Sequence, residues 1–282
     1  MTRSKDNPFD IFNGRAMISL GPLTSNKHCP YSCLFCYVPN GFLQYESIGI
    51  SKICEYLRNH EDDFEIVYIS GDTDSFAPPR LQEGLELLET VANKFNKDIL
   101  ITTRMAMDAD IIERLQKISK LLLKKNRKFF VCISISSPDG NQKIEPPPIP
   151  SIASRIDTMT SLKKNGIYSI LALRPFLPIY SSEDYIRIIN LLKDSVDVIL
   201  GEVWYHDINY EMWRRLTGSN EVNRGVSKKV TLPFNISEKE WEEWRDSQME
   251  KEIADYCRNL NIPFFMDSSS AIKYLNTKVK TT

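Results

Sequence analysis

Short apolar runs recur along the chain. The first covers residues 16–20, and others follow at 65–70 (EIVYIS), 98–103 (DILITT), 129–136 (FFVCISIS), 168–173 (YSILAL) and 196–204 (VDVILGEVW). Each is rich in Ile, Val and aromatic residues and has the length of a buried strand. The segments between them have helical periodicity. Leu81, Leu85, Leu88 and Val91 form one stripe within 80–93, and Ile111, Ile112, Leu115, Ile118 and Leu122 form another within 109–125. Residues 151–165 and 183–193 follow the same pattern, and Gly166 after Asn165 is a helix-stop signal. Strands that are apolar throughout, alternating with amphipathic helices, predict a parallel sheet covered by helices. Six such units fit an α/β fold, a partial (β/α)6 TIM-like barrel with a C-terminal α/β extension. A doubly wound open sheet is the alternative.

The tail reads differently. Ser237 and Glu240 make a capping box ahead of a predicted long helix, 238–260, with Trp241, Trp244, Ile253, Cys257 and Leu260 on its apolar stripe. A last strand is expected at 262–266 and a short helix at 269–275. Residues 145–150 (EPPPIP) form a rigid loop, and no linker divides the chain. The expected organisation is a barrel over 1–205 with an extension over 206–282 packed on it.

Composition adds little. The 282 residues are 42% hydrophobic and 26% charged, with a formal net charge of -1. No global field draws the chain to nucleic acid or to a membrane. The basic residues in 117–128 read as a solvated helix face. No apolar run approaches the ~20 residues that span a bilayer, and the first thirty residues lack a signal peptide's apolar stretch. The expectation is a soluble cytoplasmic protein, where clustered thiols are metal ligands or redox groups before they are disulfides.

Such a cluster exists. Cys29, Cys33 and Cys36 are spaced C-x3-C-x2-C on the loop after the first strand. In a β/α barrel that is the catalytic end. Three thiolates can hold three corners of a four-iron four-sulfur cluster, and omitting a fourth leaves one iron open. The alternative is a zinc site in a regulatory protein with His28 as fourth ligand, although adjacent His28 and Cys29 side chains tend to diverge.

The spacing, with Phe35 just before the last cysteine, resembles the hallmark of the radical S-adenosylmethionine (SAM) superfamily. That resemblance implies a 4Fe-4S cluster on Cys29, Cys33 and Cys36, with SAM chelating the open iron. An electron, delivered by a reductase such as flavodoxin or ferredoxin, cleaves the sulfonium to methionine and a 5′-deoxyadenosyl radical. The radical then abstracts hydrogen from a substrate.

The segment Thr73-Asp74-Ser75-Phe76-Ala77-Pro78 looks like that of the spore photoproduct lyase-like branch. Ser134-Ile135-Ser136, Glu145-Pro146, Arg155, Gly166-Ile167 and Arg174-Pro175-Phe176-Leu177-Pro178 follow in that branch's order, covering about residues 16–205. Two positions depart from it: Thr102-Thr103-Arg104 replaces Thr-Lys, and Pro79-Arg80 stand where a glutamate usually follows.

The resemblance implies that Ser70, Gly71, Asp72, Thr73 and Asp74 hold the methionyl amine, with Asp72 or Asp74 as the carboxylate. Phe35 and Thr102 belong to the same cofactor site. Strand parity puts Cys132, Ser134 and Ser136 on one face. The serines can offer hydroxyls to the ribose or the methionyl carboxylate, and Arg174 can pair with that carboxylate. Strand-end hydrogen bonds and a structural salt bridge are the bland alternatives. Cys132 could return hydrogen to a product radical, as a cysteine does in the lyase, or simply fill the core. Cys54 and Cys257 read as buried hydrophobes. Glu202 at the sixth strand's end could contact cofactor or substrate, and Trp204, Tyr205, Tyr210 and Trp213 could line a pocket for a flat substrate or belong to the core. The expected substrate is a small molecule or nucleoside-like. A DNA photoproduct lyase is the runner-up, and the missing basic excess counts against it.

Overall fold

The computed structural model describes residues 9–20, 29–38, 48–218, 224–231 and 240–278. Ser237 and His28 lie outside the described residues. An eight-stranded sheet organises the chain, in the order β1 (Asp10–Phe12), β2 (Arg15–Ile18), β3 (Ile66–Ile69), β4 (Asp98–Thr103), β5 (Phe129–Ser134), β6 (Tyr168–Leu173), β7 (Val198–Gly201) and β11 (Phe264–Phe265). From β2 through β7 each strand pairs in parallel with the next in sequence, and β11 adds a further parallel strand beside β7. Sequential order is that of a β/α barrel. A doubly wound sheet reverses its order part-way, so that alternative is excluded. Strand β1 turns back antiparallel on β2.

Five helices cover the strands, and the last four of them sit where the stripes predict. They are α1 (Ile50–Asn59), α2 (Leu81–Lys94), α3 (Ala109–Lys124), α4 (Ile152–Lys164) and α5 (Ser182–Leu192). Asp108 accepts from Ile111 N–H at 2.9 Å to cap α3, Ser151 accepts from Ser154 N–H at 3.2 Å to cap α4, and Ser181 with Asp184 forms a capping box at α5. Gly166, with φ of 68°, follows α4 as expected of a left-handed stop.

The sheet has two dry faces. Val67, Ile101, Val131, Ile133 and Leu171 pack outward under the helices, while Tyr68, Leu100, Phe130, Cys132, Ile170 and Leu200 fill the interior. The last helix, α8 (Ser268–Lys278), supplies Ala271, Ile272 and Leu275 to that interior. Arg15 Nη1, at the start of β2, donates to Ser268 Oγ, and Lys128 Nζ donates to the Leu275 carbonyl at 3.1 Å. These contacts tie α8 to the starts of β2 and β5.

The predicted helix 238–260 is corrected. Residues Trp241–Arg245 form strand β10, and helix α7 (Ser247–Asn259) starts only after Asp246, whose carboxylate caps it. β10 lies between β8 (Trp204–Asp207) and β9 (Val226–Val230) in a separate antiparallel sheet, with the short helix α6 (Glu211–Thr217) against it. Trp241 and Trp244 are three apart, so a strand points them to opposite faces. Trp241 meets Tyr37 edge-on, and Trp244 meets Trp213. Both faces are covered, and two buried tryptophans at i and i+3 imitate a helical stripe.

His206 sits within this sheet, fully buried among Trp204, Tyr210 and Trp213. Its Nδ1 is 3.1 Å from the Asp207 carbonyl, and its Nε2 is 3.0 Å from Ser227 Oγ. The carbonyl requires a donor at Nδ1, which leaves Nε2 to accept the serine hydroxyl of a neutral ring.

Two outcomes follow. Ile272→Ala should lower stability by about 2–5 kcal/mol, read as a lower urea midpoint with unchanged slope. Burial also lowers the His206 pKa, partly offset by the Asp207 carbonyl and Glu242. The unfolded chain therefore takes up this proton first, and stability present above about pH 6.5 is lost as pH falls. His206→Gln should show a smaller fall in Tm between pH 7.5 and 5 than the wild type.

Candidate active site

The loop bearing the three cysteines lies across the C-terminal ends of the strands. Leu34 N–H donates to the Ile144 carbonyl, beyond β5, at 3.0 Å. Trp204 Nε1, beyond β7, donates to the Phe35 carbonyl at 3.0 Å. Arg104, just after β4, sits over the Phe35 ring at 5.3 Å. Cys29 feels the charge of Asp74, beyond β3. The loop is therefore pinned from four strand ends at the mouth where β/α barrels carry their chemistry.

All three cysteines are free and half-buried. Cys36 is near enough to Cys29 and to Cys33 for their charges to interact. Burial raises all three thiol pKa values, that of Cys36 to about 12, and Arg104 opposes the rise at Cys33. Such a pocket disfavours bare thiolates; bound metal reverses that balance by deprotonating its thiol ligands. Among the described residues, no three His, Cys, Asp or Glu side chains converge as one metal ion requires. A four-iron cluster binds its thiolates through separate irons, and so does not require them to converge on one point. Two polar atoms beside the loop, Tyr31 Oη and Arg104 Nη1, are buried without a hydrogen-bond partner. Soft donors and open donor groups together fit an iron–sulfur cluster.

The segment after β3 is tightly specified. Ser70 takes a positive φ of 69°, and its hydroxyl accepts from Ser75 N–H at 2.9 Å. Gly84 of α2 packs so closely that a Cβ there would lie 2.2 Å from the Ser75 carbonyl oxygen. Gly71 is exposed and Thr73 is buried. Asp74 spends its carboxylate within the protein: it accepts from Phe76 N–H at 3.1 Å, Thr103 Oγ1 at 2.9 Å and Arg104 N–H at 2.7 Å. Burial raises its pKa against these donors. Asp72 is half-buried and accepts from Ser19 Oγ at 2.5 Å.

Deeper in the mouth, Arg174 Nη2 donates to Tyr68 Oη at 2.7 Å and lies 3.4 Å from Thr102 Oγ1, which is 3.0 Å from the same phenol. Glu202 is half-buried nearby. Burial raises its pKa, and Arg174 and Arg15 oppose the rise. Ser134 faces the interior, and its carbonyl accepts from Arg155 Nη1 at 2.6 Å. The Ser136 hydroxyl is already engaged, donating to the Arg174 carbonyl and accepting from Arg104 Nη2. Cys132 is fully buried beside the Tyr68–Thr102–Arg174 layer, paired in register with Thr102 on β4 and Ile170 on β6.

Of the predicted aromatic group, Trp204 and Trp213 are core, while half-buried Tyr205 meets Tyr37 edge-on at 5.5 Å. Arg104, Tyr31 and Tyr37 were not predicted as site residues. Their signal was position: Tyr31 lies between Cys29 and Cys33, Tyr37 follows Cys36, and Arg104 follows a strand's last threonine.

A family profile described as the Radical SAM superfamily matches residues 24–216, more than half of the chain. The chain belongs to the radical SAM superfamily. A radical SAM Nalpha-GlyT isomerase of Pseudomonas phage M6 is 26% identical over 174 residues, 57% of this chain and 34% of the relative. The chain thus spans about a third of that relative's length. Among solved structures, spore photoproduct lyase with a dinucleoside spore photoproduct has a TM-score of 0.59 at 12% identity, covering 89% of this chain and 81% of the lyase. The radical SAM methyltransferase TsrM from Kitasatospora setae has a TM-score of 0.56 at 9% identity, covering 91% of this chain and 55% of TsrM. Both share the partial-barrel fold. Among the described residues no helix is long and apolar enough to cross a membrane.

In this radical SAM protein, one carboxylate ties the mouth together. Glu145 Oε2 accepts from Arg155 Nη2 at 2.6 Å, with both side chains at most 3% exposed, and Oε1 accepts from Ser136 N–H at 3.2 Å. Glu145→Ala leaves a buried guanidinium unpaired and should cost about 3–5 kcal/mol, measured as loss of denaturant stability in the metal-free chain.

Proposed function

We propose that the chain reductively cleaves SAM at a 4Fe-4S cluster held by Cys29, Cys33 and Cys36, and directs the resulting 5′-deoxyadenosyl radical to a hydrogen of a small-molecule or nucleoside-like substrate. The observation that carries this proposal is the placement of three free thiols on one loop pinned across the C-terminal ends of the barrel strands. When bound, the cluster supplies one electron to the sulfonium and an open iron to the methionyl group. The chain's own residues bind, orient and shield.

Asp72 and the backbone at Ser70 and Gly71 are the acceptors for the methionyl amine. Asp74 acts behind them, fixing Thr103 and Arg104. Arg174, held by Tyr68 and Thr102, offers its remaining N–H groups to a carboxylate or to ribose oxygens. Ser136 orients Arg104 and the Arg174 backbone rather than spending its hydroxyl on a ligand. Ser134 lines the same interior. Phe35 walls the cluster side. Tyr37 and Tyr205 form an aromatic wall suited to a flat substrate. The proposal gives Cys132 no catalytic step, because its thiol is fully buried in the packed interior. A flavodoxin- or ferredoxin-type reductase supplies the electron. The dinucleoside bound to spore photoproduct lyase and the tryptophan bound to TsrM lend support to a substrate with an aromatic or nucleoside part.

Purified anaerobically and reconstituted, the protein should be brown, carry about four irons per chain and absorb near 400 nm. With reductant and SAM it should release 5′-deoxyadenosine, and Cys33→Ala should release none. A colourless protein with stoichiometric zinc would reject the proposal in favour of a zinc-binding regulator.

A further inference from the structure

Arg104 departs from the lysine of the similar branch, and the chain commits a buried network to placing it. Its backbone N–H is fixed by Asp74 at 2.7 Å, its Nη2 donates to Ser136 Oγ at 3.2 Å, and its guanidinium covers Phe35. Its Nη1 lies 3.6 Å from Glu145 Oε1, too long for a hydrogen bond, and is buried without an acceptor. Glu145 itself is anchored by Arg155. The charge pair therefore aims Arg104 while leaving a donor open, and the guanidinium lies beside Cys33. The same stretch grips the cysteine loop directly, since the Ile144 carbonyl, one residue before Glu145, takes the N–H of Leu34, one residue after Cys33.

We propose that Arg104 is a positioning residue for electron uptake: its open N–H donates to the Cys33 sulfur of the bound cluster, and its fixed charge favours the reduced cluster. This rests on the ligation proposed above. Reduction adds one negative charge to the cluster, supplied by the reductase, and involves no proton, because guanidinium stays charged. A cation fixed in a low-dielectric pocket stabilises the more negative state more strongly. Hydrogen bonds to the sulfurs and local charge are among the groups of factors that set cluster potentials. Lysine keeps the charge and can donate one hydrogen bond, but lacks the planar fork that Ser136 and Phe35 hold.

The test is an EPR-monitored redox titration of the reconstituted full chain without SAM, comparing wild type, Arg104→Lys and Arg104→Gln, with iron content and melting followed in each. All three should hold about four irons. Reduction of Arg104→Gln should be about tenfold less favourable, which is about 59 mV more negative for one electron, and Arg104→Lys should stay within about threefold of wild type. An Arg104→Gln potential within threefold of wild type overturns the proposal, as it would if Arg104 served only a SAM carboxylate. So does an equal shift in Arg104→Lys, or a folded Arg104→Gln chain that retains no iron, which would make Arg104 a fastener of the loop. A wild-type chain that takes up no four-iron cluster fails at the ligation itself and removes both proposals, a result distinct from all of these.

Discussion

The ion pair between Arg155 and Glu145 joins a helix, two strand ends and a loop at the mouth of the barrel. Arg155 lies on α4 and also donates to the Ser134 carbonyl at the end of β5, while Glu145 takes the Ser136 N–H and faces Arg104 after β4. One carboxylate thus fixes a helix, two strand ends and the loop that carries Ile144 to Leu34. A buried pair of this kind adds little net stability, because two charges must be desolvated to form it. Its value is positional. Hydrophobic packing under the helices is non-directional and cannot by itself hold a loop to hydrogen-bond tolerance; the charges can.

The barrel interior grades from dry to polar along its length. At one end α8 packs Ala271, Ile272 and Leu275 against Ile66, Leu100 and Phe130. At the other, Tyr68, Thr102 and Arg174 form a hydrogen-bonded layer with half-buried Glu202 nearby. Phe176 N–H donates to the Glu202 carbonyl at 2.9 Å, so the backbone bearing the carboxylate is tied to the segment just beyond Arg174. Apolar packing on α8 and a hydrogen-bonded layer divide the interior between them.

Much of this was legible in the sequence. A parallel strand buried on both faces is a continuous apolar run, so β3 to β7 stood out, and the helices between them showed clear stripes. The antiparallel sheet did not, because Trp241 and Trp244 are buried on opposite faces of β10 at a spacing that also suits a helix. The cysteine loop stood out because Cys29, Cys33 and Cys36 fall within one short loop. Arg104 and Glu145 are 41 positions apart and could not be linked by spacing. The residues appeared only as a strand-end departure and a Glu-Pro pair, and their joint task emerges when β4 and β5 bring their ends together. For the same reason Asp74 and Ser136 read as ligand groups in sequence but are largely spent on internal hydrogen bonds in the fold.

The two sheets are also coupled through the cysteine loop. Trp204 opens β8 and donates from its indole to the Phe35 carbonyl, while Tyr37, the residue after Cys36, is met edge-on by Tyr205 of β8 and Trp241 of β10. A shift of β8 against the barrel would therefore pull on both neighbours of Cys36. Trp204 is fully buried and packed on His206 and Trp213, so the antiparallel sheet braces this contact from behind. The extension is in this sense part of the wall of the site. Residues on β8 and β10 reach the loop next to its last cysteine, and the barrel reaches it from the opposite side through Arg104 and Ile144. The loop's position is set by both sheets at once.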